Sequence, residues 1–214
     1  MNKGQLIIIN GASSSGKTST CRAMQDKFDK LHVLLGLDCF SQITPPKQNN
    51  MQTIEPSFFT AKKYQKNGLD YFDITTGPLL NDVIYTSYKA ISMYLEEGIN
   101  VISDQLFWSS EWFQNALHIF NPYNVFFVGL HVSEQEGARR EQLRGEGNPY
   151  DIIENGRLDG WNRSSAAVTH ANMIYDFEID STNLSVQDTA EQIIVAYKST
   201  PNPTAFKTLA QKIL

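Results

Sequence analysis

The amino-acid sequence predicts an α/β protein: a five-stranded parallel sheet with helices on both faces and a lid. Three observations carry that expectation. Apolar runs of strand length alternate five times with segments of helical period. The first run is apolar throughout, as a strand covered on both faces requires. That run, about Gln5 to Ile9, also feeds directly into Gly11-x-x-x-x-Gly16-Lys17-Thr18 and then an amphipathic segment.

This strand, loop and helix setting is the one in which the spacing acts as a P-loop, so the predicted fold is that of P-loop NTPases. Ala12, Ser13, Ser14 and Ser15 leave enough backbone between the glycines for successive N–H groups to curl inward around phosphate oxygens. Gly16 admits a close approach that a Cβ would block. Lys17 reaches the β- and γ-phosphates, and Thr18 offers its hydroxyl to Mg²⁺. The helix N-terminus through Ser19 adds its positive end. Gly11 to Ser19 is thus a candidate ATP cradle with Lys17 as a catalytic residue, stabilising charge on the transferred group.

After the loop, Cys21, Met24 and Phe28 form a core-facing stripe. A second apolar run, His32 to Leu37, places Asp38 at the carboxyl edge of the sheet, where open α/β folds bind ligands. Residues 41–77 change character: Pro45-Pro46, Gln48-Asn49-Asn50, Pro56 and Gly68 interrupt any period, while Phe58, Phe59, Tyr64, Tyr71 and Phe72 keep the stretch from reading as a linker. A connection this long inside a compact domain reads as an acceptor-binding insertion with an aromatic wall.

Gly77-Pro78 opens a helix with an apolar face from Leu80 to Leu95, and Gly98 stops it. Ile99 to Ser103 is the third strand, ending at Asp104, a candidate Mg²⁺-side carboxylate. A short helix at about Glu111 to Ile119 follows, then a strand from Asn124 to Val132. Ser133-Glu134-Gln135-Glu136 reads as a capping box. Its helix carries Arg139, Arg140 and Arg144 and then breaks at Gly145 to Pro149, so 139–160 reads as a lid whose cations close over phosphates. Tyr175 to Ile179 is the fifth strand. Ser185 and Asp188 cap a last helix to about Tyr197. Pro201 and Pro203 set off a tail, 201–214, that puts Phe206, Leu209 and Ile213 on one face and is expected to dock on its own domain, 1–200, or on a second copy.

A net charge of −5 and a pI near 5.4 argue against nucleic acid as partner. No apolar run approaches the roughly 20 residues of a membrane span, and the first strand begins too early to leave room for a secretory signal. Cys21 and Cys39 show no metal-ligand spacing. A reduced, cytoplasmic protein is expected, as monomer or homodimer. A GTPase is not supported, because the Asn-Lys pair Asn2-Lys3 precedes the first strand and Asp104-Gln105-Leu106-Phe107 lacks the switch glycine. Motor ATPases place paired acids after a strand, and Asp104-Gln105 supplies one. Small-molecule kinases need less: Mg²⁺, one carboxylate and arginines to neutralise the phosphoryl group.

Ile7 to Gly11 with Ser15 to Thr18, Gly36-Leu37-Asp38, Val101 to Asp104, Val128-Gly129-Leu130, Glu136-Gly137, Arg140-Glu141, Arg144-Gly145, His170, Tyr175-Asp176 and Asp180-Ser181-Thr182 together resemble the chloramphenicol phosphotransferase family. The resemblance implies transfer of the γ-phosphoryl of ATP to a small hydroxyl-bearing acceptor. It makes Asp38 the group that takes the hydroxyl proton, and Arg140 and Arg144 the lid arginines. P-loop kinases in general would place Asp180 and Thr182 under the adenine. Gly147 stands where a further lid arginine is expected, and Gln105 where a second acid would follow Asp104. Two alternatives stay open: a nucleotide or sugar-nucleotide kinase of the zeta-toxin type, and a nucleotide-binding regulator without catalysis.

Overall fold

A computed structural model describes residues 3–41, 43–45, 56–144 and 160–214, without the side chains of Ser41 and Arg144. In these residues the strands are β1 (Gln5–Gly11), β2 (His32–Leu34), β3 (Phe59–Lys66), β4 (Leu69–Thr76), β5 (Asn100–Gln105), β6 (Asn124–His131) and β7 (Phe177–Asp180). The helices are α1 (Lys17–Lys27), α2 (Leu37–Ser41), α3 (Pro78–Glu96), α4 (Ser110–Phe120), α5 (Glu134–Arg144), α6 (Trp161–Thr169), α7 (Val186–Ser199) and α8 (Ala205–Ile213).

β1 is the centre of a five-stranded parallel sheet of order β2-β5-β1-β6-β7. Its apolar run explains the place. Leu6 and Ile8 point into one core with residues of α3, α4 and α8. Ile7 and Ile9 point into the other, against Cys21 and Met24 of α1 and Ala190 and Ile193 of α7. All four strand residues are fully buried, each stabilising the fold by about 1.5–3 kcal/mol, which no edge position would return. α3 starts at Pro78 and turns Leu80, Ile84, Tyr88, Ile91 and Leu95 inward. Gly98, at φ 77°, reverses the chain into β5. The parallel register brings the carboxyl ends of the strands to one edge, with Ile9 beside Asp104, Gly11 beside Leu130 and His131 beside Asp180.

Three local findings differ from the sequence expectation. The second strand stops at Leu34, and Asp38 sits in the first turn of the short helix α2 rather than at a strand end. Between β2 and α2 the chain passes so close to Asp104 that a Cβ on Gly36 would lie 1.4 Å from Asp104 Oδ1, so only glycine fits there. The insertion holds an antiparallel hairpin, β3 against β4, in register from Phe59↔Thr76 to Lys66↔Leu69. Its two-residue turn is Asn67-Gly68, both at positive φ, which matches the twist of the flanking strands. α6 is an additional helix after the lid span. Pro46 to Asn50, Gly145 to Pro149 and most of the lid lie outside the described residues.

The tail forms α8 and packs on its own domain. Phe206 is buried against Phe113, Phe120 and Phe127, and Leu209 and Ala210 are buried beside it, whereas Ile213 is exposed. Asp176 fixes the entry to this helix, its carboxylate accepting from the amides of Thr204 and Ala205 at 2.8 and 3.0 Å and from Phe127 at 3.0 Å.

Candidate active site

The P-loop turns on two left-handed residues, Ser14 at φ 59° and Gly16 at φ 93°. Such reversals aim neighbouring amides into one concavity, an anion nest at the N-terminus of α1. Gly11 is needed at the other end, since a Cβ there would lie 2.6 Å from Leu130 O. Lys17 Nζ reaches back across the loop to Ala12 O at 2.7 Å. The hydroxyls of Ser14 and Ser15 are buried and meet no hydrogen-bond partner among the described residues.

Thr18 Oγ1 donates to Asp104 Oδ2. Burial pushes the Asp104 carboxyl above its ordinary range, and the nearby negative charge of Asp38 adds to the rise. The Thr18 hydrogen bond and the positive charge of Lys17 oppose it. A hydroxyl, two carboxylates and an ammonium group thus converge beside the nest. A divalent cation suits this donor set, because it would relieve the like charges of Asp38 and Asp104. Among the described residues no three His, Cys, Asp or Glu side chains form a metal cage. Magnesium at a phosphate site does not need one, since one or two carboxylates and the phosphates suffice.

Arg140 lies against the outside of the loop. Its guanidinium donates to Ser15 O at 3.1 Å, to Ser181 O at 2.8 Å and to Ser181 Oγ at 3.1 Å. Its Nε donates to Glu136 at 2.8 Å. Two arginines on one carboxylate, Arg139 and Arg140, pull Glu136 down to about 2. Glu136 therefore leaves the capping box half made. Ser133 Oγ still accepts from the Glu136 amide at 3.3 Å, but the Ser133 amide goes to Thr182 Oγ1 at 2.8 Å. Asp180 accepts from the Thr182 amide at 2.8 Å, and Thr182 is the main cause of its lowered pKa. Asp180 and Thr182 thus order the loop after β7 at the edge of the nest. The side chain of Arg144 lies outside the described residues.

On the other side stands the hairpin. Phe58 and Phe59 are core residues rather than wall. Phe72 packs on Trp161 at 5.9 Å, and Trp161 stacks on Trp108 at 5.6 Å, while Tyr64 and Tyr71 stack on each other. Trp108 Nε1 donates to Ile74 O at 3.2 Å and the Phe72 amide donates to Ser164 Oγ at 2.7 Å, which ties the hairpin to α6 and to the loop after β5.

Several polar residues that the sequence reading leaves without a role hold the site together. Asn10, fully buried, donates to Thr169 O at 2.9 Å and to Tyr175 OH at 2.8 Å. His170 Nδ1 lies 2.8 Å from the same hydroxyl and its ring stacks on His131. Ser165 Oγ accepts from the Ser13 amide at 2.9 Å, and Asn162 Nδ2 donates to Ser13 O. Ser181 Oγ donates to Ser15 O or His131 O, both at 3.1 Å. The available signal was the spacing of Asn162, Ser165 and Thr169, which puts three small polar side chains on one helical face.

Residues 4–198 match the family described as chloramphenicol phosphotransferase-like protein. Over 215 aligned positions the chain is 39% identical to a Mycobacterium tuberculosis H37Rv protein named "Putative O-phosphotransferase", covering 100% of this chain and 91% of that one. Among solved structures it is similar to the APS kinase of M. tuberculosis in complex with AMPPNP and APS, with TM-score 0.58, 13% identity, and coverage of 92% and 99% of the two chains. It is also similar to Candida albicans thymidylate kinase, with TM-score 0.58, 14% identity, and coverage of 94% and 93%. The chain has the fold of P-loop kinases and belongs to the chloramphenicol phosphotransferase-like family.

Proposed function

We propose that the protein is an ATP-dependent O-phosphotransferase that moves the γ-phosphoryl group of ATP to the hydroxyl of a small acceptor. The convergence of Lys17, Thr18, Asp104 and Asp38 beside the amide nest carries the reading. In it the nest and Lys17 hold the triphosphate. Thr18 and Asp104 would hold magnesium, which when bound neutralises charge on the β- and γ-oxygens. Asp38 orients the acceptor hydroxyl and takes its proton as the oxygen attacks phosphorus and the bond to the β-phosphate oxygen breaks. The stacked indoles of Trp108 and Trp161 and the hairpin supply the acceptor side. The guanidinium of Arg140, held on the Ser15 carbonyl behind the nest, adds positive charge to the phosphate site, and Arg144 keeps its proposed lid role on the strength of the sequence alone.

A strongly anionic acceptor, as for a nucleotide kinase, is less well served. The described cations of the insertion are Lys62, Lys63 and Lys66, and Lys63 is engaged by Asp70 at 2.6 Å. The test is incubation with Mg-ATP and a library of hydroxyl compounds, with phosphorylated product read by mass. Product from a neutral hydroxyl compound, lost in Asp38→Asn, supports the reading. Transfer only to nucleotides, or ATP binding that never leads to transfer, overturns it.

A further inference from the structure

Ser14 is a left-handed residue that is not glycine, a conformation costing about 1–2 kcal/mol for an L side chain. It is gripped on both sides. On one, Arg140 and Ser181 hold the carbonyl of Ser15. On the other, Ser13 is held twice by α6: its amide donates to Ser165 Oγ, and its carbonyl accepts from Asn162 Nδ2. Both α6 residues are buried, Ser165 at 0% and Asn162 at 2% exposure. Neither is free to turn. Ser165 Oγ spends its proton on Asn162 O at 2.9 Å. The Asn162 amide donates to Glu141 Oε2 at 2.9 Å, and its side chain fills the space left by Gly137, where a Cβ would lie 2.3 Å from Asn162 Oδ1. A glycine inside α5 costs that helix about 1 kcal/mol relative to alanine, and here its vacancy is what admits Asn162.

The Ser13 amide, spent on Ser165, is withdrawn from the nest. The phosphate-facing donors therefore begin at Ser14, and their direction depends on the turn at Ser14. We propose that Asn162 and Ser165 are positioning residues for phosphoryl transfer: by fixing Ser13 they keep the Ser14 turn left-handed, so that the nest is formed before nucleotide arrives. This rests on the reading of the loop as the ATP site.

The experiment is calorimetric titration of Mg-ATP into wild type, Ser165→Ala, Asn162→Ala, the double variant Ser165→Ala with Ser14→Gly, and Ser87→Ala, each with its thermal unfolding curve. Ser87 is matched in burial, at 2% exposure, and its hydroxyl donates only within α3, to Ile84 O at 2.7 Å. Loss of either brace is expected to weaken ATP binding about tenfold in folded protein. Ser14→Gly is expected to restore at least about threefold of that, because glycine enters the left-handed region without steric cost. Ser87→Ala is expected to lower the unfolding midpoint and leave ATP affinity alone. Brace variants that bind ATP as wild type does, or a Ser87→Ala protein that loses affinity in step with them, overturn the proposal. Should Ser165→Ala not fold, Ser165→Cys replaces it, and wild-type affinity in that variant overturns the proposal equally. Wild type that binds no ATP overturns the active-site reading together with it, whereas normal wild-type binding with unaffected variants removes the brace alone.

Discussion

The Thr18 hydroxyl donates to Asp104 Oδ2, joining the start of α1 to the carboxyl end of β5 at the mouth of the nest. The same carboxylate is pushed above its ordinary range by burial, with the charge of Asp38 adding to the rise. The folded chain therefore holds this proton more tightly than the unfolded chain, and stability falls as pH rises out of the acid range. Near neutral pH the buried charge is a net cost that the proposed binding of a cation would offset. Asp104→Asn is expected to raise the unfolding midpoint near pH 7, to lose that advantage below the ordinary carboxylate pKa, and to weaken Mg-ATP binding at least about tenfold. Scanning fluorimetry across pH and calorimetry measure the two effects, and an Asn variant that is both less stable and fully able to bind contradicts the assignment.

Lys17 and Asp38 are expected to separate binding from chemistry. Lys17→Ala removes the ammonium proposed to meet charge spreading over the transferred group, and transfer should fall below detection. Asp38→Asn should keep ATP affinity while losing at least about a hundredfold in turnover. Steady-state rates with the identified acceptor, beside ATP calorimetry, show the split; wild-type turnover in the Asp38 variant removes it as base.

His170 is held neutral. Burial lowers its pKa from 6.5 to about 4, with His131 and Lys17 adding to the fall. Asn10 donates to the Tyr175 oxygen, which leaves the Tyr175 hydroxyl proton for a neutral His170 Nδ1. Because the folded value lies below the unfolded one, the stability from this pairing is complete above about pH 6.5 and is lost as pH falls toward 4. NMR titration should show the His170 ring unprotonated down to about pH 4, and His170→Gln should flatten the acid limb of the stability curve. A His170 titrating near 6.5 contradicts this.

Gly160 joins α6 to the hairpin. It sits at φ 97°, and a Cβ would lie 2.3 Å from Asp70 O. Gly160→Ala should cost about 1–3 kcal/mol by strain and by displacing the hairpin. If the hairpin forms the acceptor side, the variant should raise acceptor KM several-fold while ATP affinity changes little, as steady-state kinetics would show.

What the sequence reveals follows how local each signal is. The P-loop is legible because the strand, loop and helix are contiguous, and Pro78 and Gly98 bracket α3 because they act on their own backbone. Asn67-Gly68 is an equally local hairpin signal, obscured by the breakers Pro45, Pro46 and Pro56 before it and by the scarcity of apolar alternation along Lys62 to Lys66. The braces are another matter. Ser165 and Asn162 matter for what they touch, 152 and 149 residues from Ser13, and no period in the sequence carries such a distance. Asp38 stands between the two cases: its place at the sheet edge follows from topology, but the apolar run His32 to Leu37 continues past Leu34 and hides the break into α2.

The nest is encoded in the first tenth of the chain, but Ser181 reaches Ser15 across 166 residues and Ser165 reaches Ser13 across 152. A growing polypeptide would expose the loop to solvent long before either support has left the ribosome. Contacts of such long range also form slowly. The loop would then acquire its working shape well after its own translation, and on the proposed reading a nascent chain would gain affinity for nucleotide only once Ser165 and Ser181 had emerged.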